Sequence, residues 1–185
     1  MKNILQIILI SIFTFTIISC AKDSGSSSSS STATTMSTPF VSDGTYKLTA
    51  AVEAIYYSNG THYRTTLYSL SHDSSVTPGY LGYTLEWKGS GVFRITLVGK
   101  ATFSATGISD GTVDCSTNQI LETTLDTDGN VTDTTPIQTG CGGTSISLTI
   151  VSEKYTAVSG GFTKYNVVED SYSNQVRITY TYQKQ

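Results

Sequence analysis

The feature that most limits what this chain can become is a strict alternation near its end. Val176, Ile178, Tyr180 and Tyr182 take turns with Arg177, Thr179, Thr181 and Gln183. Successive side chains of a strand point to opposite faces, so this pattern describes a strand with one buried and one wet side. The same period recurs through most of the chain after residue 39, and no segment there shows the three-four spacing of a helix. The supply of residues agrees: Thr, Ser and Gly are abundant, there are 12 Tyr, and only 14% of residues are charged. That palette belongs to an exported β-protein.

Taken in order, Tyr46, Leu48, Ala50, Val52, Ala54 and Tyr56 form one side of a first strand. Asn59-Gly60 follows and predicts a type I′ hairpin, in which both central residues take positive φ. The return strand, 61–71, sets Tyr63, Thr65 and Leu67 against Arg64, Thr66 and Tyr68. After a loop at Pro78-Gly79, Leu81, Tyr83, Leu85 and Trp87 share a face and are core candidates. Phe93, Ile95 and Leu97 alternate between turn signals at Gly91 and Gly99, and 101–106 reads as a shorter strand. Weaker strands fall at 120–125 and around Val131. Ile146, Leu148 and Ile150 open a long strand to about Val158, Gly160-Gly161 turns it, and 162–168 returns; Ser173-Asn174 is the last turn.

About eight to ten strands joined by short hairpins make a single all-β domain, an antiparallel meander over residues 40–185. Closure into a barrel removes exposed edges, so a barrel-like domain is expected, with a β-sandwich as the alternative. Gly44-Thr45-Tyr46-Lys47-Leu48 resembles the Gly-x-aromatic opening of lipocalin-like barrels, with Tyr where that family prefers Trp. The resemblance covers five residues and implies no binding residue.

The first 20 residues are of another kind. Met1-Lys2-Asn3 carries one positive charge, and residues 4–18 form an apolar run interrupted only by Gln6, Ser11, Thr14 and Thr16. A helix crossing a hydrocarbon core of about 30 Å needs about 20 apolar residues, so this run suits a cleaved signal segment better than a permanent span. It ends in Ile17-Ile18-Ser19-Cys20, which resembles the lipobox of bacterial lipoproteins, with Ile in place of the usual Leu. The resemblance implies cleavage after residue 19, a diacylglycerol on the Cys20 sulfur and a further acyl chain on the new amino group. Two or more chains hold a protein stably on a membrane where one is marginal. Ala21-Lys22 lacks the aspartate that retains some lipoproteins at the inner membrane, which implies the outer membrane. Between Cys20 and Pro39 the chain is mostly Ser, Thr and Gly, the composition of a disordered tether with a span of roughly 25 Å. A transmembrane barrel fits less well: the chain ends in Tyr-Gln-Lys-Gln rather than an aromatic residue, and strands such as 61–71 lack a continuous apolar side.

Cys20 set aside, Cys115 and Cys141 remain, and an even pair in an oxidising compartment predicts a disulfide. It would enclose the segment with the weakest strands and most of the acidic excess. From Phe40 on there are nine Lys and Arg against thirteen Asp and Glu, a net charge of minus four. With no basic patch, nucleic acid is excluded as an expected partner. Between 101 and 153 there are seven acids and no cation, so one end or face should be acidic.

Catalytic patterns are sparse. Asp126-Thr127-Asp128-Gly129-Asn130 resembles the start of a calcium loop, but Gly129 is fourth where the EF-hand has its Gly sixth, and a plain turn is the expectation. His62 and His72 sit in no motif with a nucleophile, and Glu53 with Glu86 is the one carboxylate pair that invites a glycosidase reading. No cofactor or metal motif occurs. The tyrosines on or beside strands offer rigid amphipathic contact area. The sequence therefore predicts a non-catalytic binding or surface-interaction domain, membrane-held through Cys20, whose partner is a protein, glycan or small molecule. A carrier of a small apolar ligand is the alternative, and a hydrolytic enzyme the second.

Overall fold

A computed structural model describes residues 34–142, 149–169 and 172–185. The described chain forms nine strands: β1 (Gly44–Tyr56), β2 (His62–His72), β3 (Gly82–Gly89), β4 (Val92–Ala105), β5 (Ile108–Leu125), β6 (Val131–Gln138), β7 (Thr149–Val158), β8 (Gly161–Glu169) and β9 (Gln175–Lys184). No helix occurs among the described residues. All nine belong to one antiparallel sheet with the path β6-β5-β4-β2-β1-β9-β8-β7, and β3 pairs with both β1 and β4. The all-β antiparallel expectation is met. The two ends of the path approach each other at an isolated bridge, Asn130 to Lys154, beside a Tyr155 N–H to Gly129 carbonyl bond of 2.8 Å. The sheet thus curls on itself in a barrel-like way.

Strands β2 and β3 occupy one lane. Residues 51–56 of β1 pair with β2 and residues 44–47 with β3, while β4 pairs with β3 over 92–98 and with β2 over 101–104. The chain leaves this lane after His72 and re-enters at Leu81, where His72 Nδ1 accepts the Leu81 N–H at 3.2 Å and Leu48 donates to the Leu81 carbonyl. Gly99 lies opposite the re-entry point, and a Cβ there would run into the Tyr80 carbonyl oxygen. Only glycine fits, since its φ is also +82°. Gly99 is therefore an irregularity inside one long β4, not the turn expected from the sequence.

Three other local expectations change. In β1, Tyr46 and Leu48 are buried, but beyond them the buried set is Ala51, Glu53 and Ile55. Register shifts between Leu48 and Ala50, so one extra residue turns Ala50, Val52, Ala54 and Tyr56 to the other side. Around Asn59-Gly60 only Gly60 has positive φ, and the loop closes by Gly60 N–H to Tyr57 carbonyl and Tyr57 N–H to Thr61 carbonyl bonds. This is a type I turn with a glycine bulge rather than type I′. The weak strand expected at 120–125 is the end of β5, which is 18 residues long.

The other core assignments hold for Leu81, Tyr83, Leu85, Phe93, Ile95, Leu97, Val176, Ile178, Tyr180 and Tyr182, with Trp87 half-buried at the margin. Ile146 and Leu148 lie outside the described residues. The N-terminal approach is fastened before Phe40: Thr35 bridges to Asp126, Met36 donates to the Leu125 carbonyl, and Thr127 donates to the Thr34 carbonyl. Phe40 then packs on Phe93, Tyr155 and Phe162 at ring separations of 4.9, 5.8 and 5.7 Å.

Candidate functional site

Following the register across β2, β1, β9, β8 and β7 gives two neighbouring inward rows. One runs Thr66, Glu53, Ile178, Asn166, Glu153, and the next runs Tyr68, Ala51, Tyr180, Lys164, Tyr155. All ten are buried. A polar layer that holds all the buried charges among the described residues therefore lines one part of the interior.

Its charges are matched in pairs. Tyr68 donates to Glu53 Oε2 at 2.8 Å, and Arg64 Nη2 stands 3.5 Å from Glu53 Oε1. Burial nevertheless pushes the Glu53 carboxyl above the usual carboxylate range, against the lowering effect of Tyr68 and Arg64. Burial, and then the Glu53 charge, pushes the Tyr68 hydroxyl far up. On the neighbouring strands Lys164 Nζ lies 3.1 Å from Glu153 Oε2 and 3.3 Å from the Tyr83 hydroxyl, with the Tyr155 and Tyr83 rings 5.6 and 5.7 Å away. Asn166 Oδ1 and the Tyr180 hydroxyl have no hydrogen-bond partner among the described residues. The adjoining crevice lined by Phe40, Leu85, Phe93, Ile95, Thr123, Leu125 and Tyr155 admits no water molecule.

The second feature is on the surface, at the end of the sheet where β1 turns into β2 and β8 leads into β9. Asn174 Oδ1 accepts the Ser58 N–H at 3.2 Å and ties the two connections together. Three tyrosines stand out here: Tyr57 and Tyr63, each 46% exposed with rings 5.2 Å apart, and Tyr172, 79% exposed. Alongside, the Arg177 guanidinium lies over the Tyr56 ring at 4.0 Å, and His62 meets the same ring edge-on at 5.3 Å. A line of planar polar groups continues from there: Arg177 donates to Gln175 Oε1 at 3.2 Å, and Gln175 donates to Glu169 Oε1 at 2.9 Å.

Cys115 and Cys141 form the expected disulfide. It closes over a bulge in β5, where Leu97 pairs with Gln119 but Gly99 with Cys115, leaving 116–118 looped out. The tip is held by Gln138, which donates to the Thr117 and Asn118 carbonyls, and by Thr117, whose hydroxyl donates to the Gly140 carbonyl. The Asp126–Asn130 stretch is a self-capped turn: Asp126 Oδ1 accepts the Asp128 and Asn130 N–H groups, and Oδ2 accepts the Asn130 amide. Asp126 spends its oxygens on the chain itself, which fits the turn reading. No cluster of three metal-ligating side chains occurs among the described residues.

His62 bonds Thr65 and His72 bonds the Leu81 amide, so neither recorded partner is a carboxylate. Burial, then the charge of Lys47, lowers the His72 pKa. Glu53 faces inward and is fully buried, whereas the Glu86 side chain is half exposed beside Lys88, so the structure does not bring these two carboxylates together. The acidic run acquires cations from other strands: Asp114 pairs with Lys100, Glu122 with Arg94 and Glu153 with Lys164. Cys20 lies outside the described residues.

Sequence reasoning passed over Lys164 and Asn166 and counted Glu153 toward an acidic face, whereas it is buried and paired with Lys164. The signal was present, since Lys164 and Asn166 fall in step with buried Phe162 and Val168, but polarity alone places such residues outside. No family model matches the chain, and no curated protein or solved structure is significantly similar to it.

Proposed function

We propose that this is an exported, lipid-anchored binding protein without catalytic activity, which meets its partner through the tyrosine end just described. The observation that carries this is one of placement. Residues 34–36 are fastened beside the β5–β6 turn, at the end where β1 starts, whereas Tyr57, Tyr63 and the 172–174 connection sit where β1 finishes. The 13 residues of β1 separate the two ends, a length of about 40 Å at the usual rise of a strand. A domain held by acyl chains on Cys20 would present the tyrosine end away from the lipid, and exposed tyrosines supply rigid contact area with a polar tip. Charged pairs and aromatic rings fill the described interior beside β7–β9, so recognition is assigned to the outside of the wall.

The test uses the full chain in the cells that produce it. A photo-crosslinking residue is placed at Tyr57 or at Thr127, and the membrane-fraction protein is analysed by mass spectrometry. An acylated N-terminal Cys20 with adducts at position 57 and none at 127 is expected. A chain that retains residues 1–19, or adducts only at 127, overturns the reading.

A further inference from the structure

We infer that the partner recognised at the tyrosine end is a neutral glycan; the inference rests on the placement of the binding surface proposed above. Three observations lead to the sugar. The large exposed hydrophobic residues around the β1–β2 turn and at position 172, among those described, are all tyrosines; of the exposed aliphatic ones, Leu67, Ile137 and Val158 stand elsewhere on the strands, and Val151, on β7 beyond Glu169, flanks the far edge of this end. A protein interface favours a continuous apolar centre. A small pair of aromatic rings rimmed by polar groups fits instead the C–H face of a pyranose, which is apolar on its flat side and hydroxylated at its edge.

Next, Arg177, Gln175 and Glu169 form a hydrogen-bonded line of flat, fork-shaped groups on neighbouring outward positions of β8 and β9. Each offers two donors or acceptors at the spacing of vicinal hydroxyls, and Arg177 is already held flat by the Tyr56 ring. Lastly, the Arg177 and Glu169 charges offset one another along that line. This favours an uncharged sugar over a phosphorylated or sulfated one, which would call for an unopposed cation cluster. The geometry gives a division of labour: one pyranose stacks on Tyr57 and Tyr63, and the next residues of the chain exchange hydrogen bonds with Arg177, Gln175 and Glu169.

The test is calorimetric titration of the detergent-solubilised full chain with hexasaccharides of glucose, N-acetylglucosamine, mannose and galactose. At least one should bind saturably. Tyr57→Ala and Tyr63→Ala should each weaken it tenfold or more, and Arg177→Met should weaken it with both tyrosines in place. Thr127→Ala, at the opposite end, should leave it unchanged. Fluorescence of the single Trp87 and the urea midpoint check that each variant is folded. Absence of binding to all four, or binding indifferent to the tyrosine variants, overturns the glycan. If the crosslink at position 57 then traps a protein, the surface survives and its ligand class is wrong; if position 57 traps nothing, both readings fall.

Discussion

The two sides of this sheet bury different chemistry behind the same alternating pattern. Along β3, β4 and β5 the inward residues are mostly apolar, Leu85, Phe93, Ile95, Leu97, Phe103, Leu121 and Leu125, and the polar ones among them, Tyr83, Gln119 and Thr123, carry no charge. Along β1, β9, β8 and β7 they include Glu53, Asn166, Lys164, Glu153 and four tyrosines. Burial of apolar surface stabilises the first side directly. On the second, the cost of desolvating charge is offset only while each ion keeps its partner. The first side should therefore tolerate volume-conserving apolar swaps, and the second should not tolerate loss of one partner.

The hardest blow to that contrast is Lys164→Met, which leaves the Glu153 carboxylate buried and unopposed. Urea denaturation should show a loss of about 3–5 kcal/mol, and adding Glu153→Leu should restore much of it. A double variant no better than the single would mean that the pair is not the reason for the fragility. Removing the disulfide by Cys115→Ala with Cys141→Ala acts on the other side of the sheet. Its expected cost is about 3.5 kcal/mol from chain entropy, and proteolysis should begin near the bulge at 116–118.

Smaller and signed is the pH response of Glu53. Its folded pKa is raised by burial, so the folded state holds this proton more tightly than the unfolded chain does. Stability from this group is complete below the unfolded value and falls as pH rises through the folded one. Asp114, held below the usual range chiefly by bonds from Ser116, and Asp126, held there against the raising effect of burial by bonds from Asn130 and Asp128, act in the opposite sense. The difference between wild type and Glu53→Gln from about pH 3, below ordinary carboxylate values, up to about pH 8 isolates the Glu53 contribution. A flat difference would break the assignment. Least affected should be Tyr57→Ala and Tyr63→Ala, on the outer surface, each within about 0.5 kcal/mol of wild type; a larger loss would make these rings part of the framework.

How far the sequence could be read follows from the same contrast. Alternation alone located most strands, and where the inward residues were apolar, as in Leu81, Tyr83 and Leu85, it also gave the face. The disulfide was legible because two cysteines were left once Cys20 was set aside. What alternation cannot carry is a change of phase: one extra residue near Thr49 reversed the faces of the rest of β1. Nor does it show which polar residue will be paired inside. Glu153 and Lys164 lie eleven positions apart in sequence, and only the β7–β8 register brings them to 3.1 Å. The tyrosine end was visible as a count of rings, but its grouping with Gln175 and Arg177 follows from the β1–β9 register, which sets Tyr56 opposite Gln175 and Ser58 within reach of Asn174.

The lane shared by β2 and β3 has a practical corollary. Because β1 and β4 grip both strands independently, the excursion from Asp73 to Leu81 is a place where the polypeptide can be severed, or a foreign sequence spliced in, while both severed ends stay zipped to the same two neighbours. Reporter peptides or new termini introduced there should leave the wall intact, which makes this loop a natural port for engineering the domain.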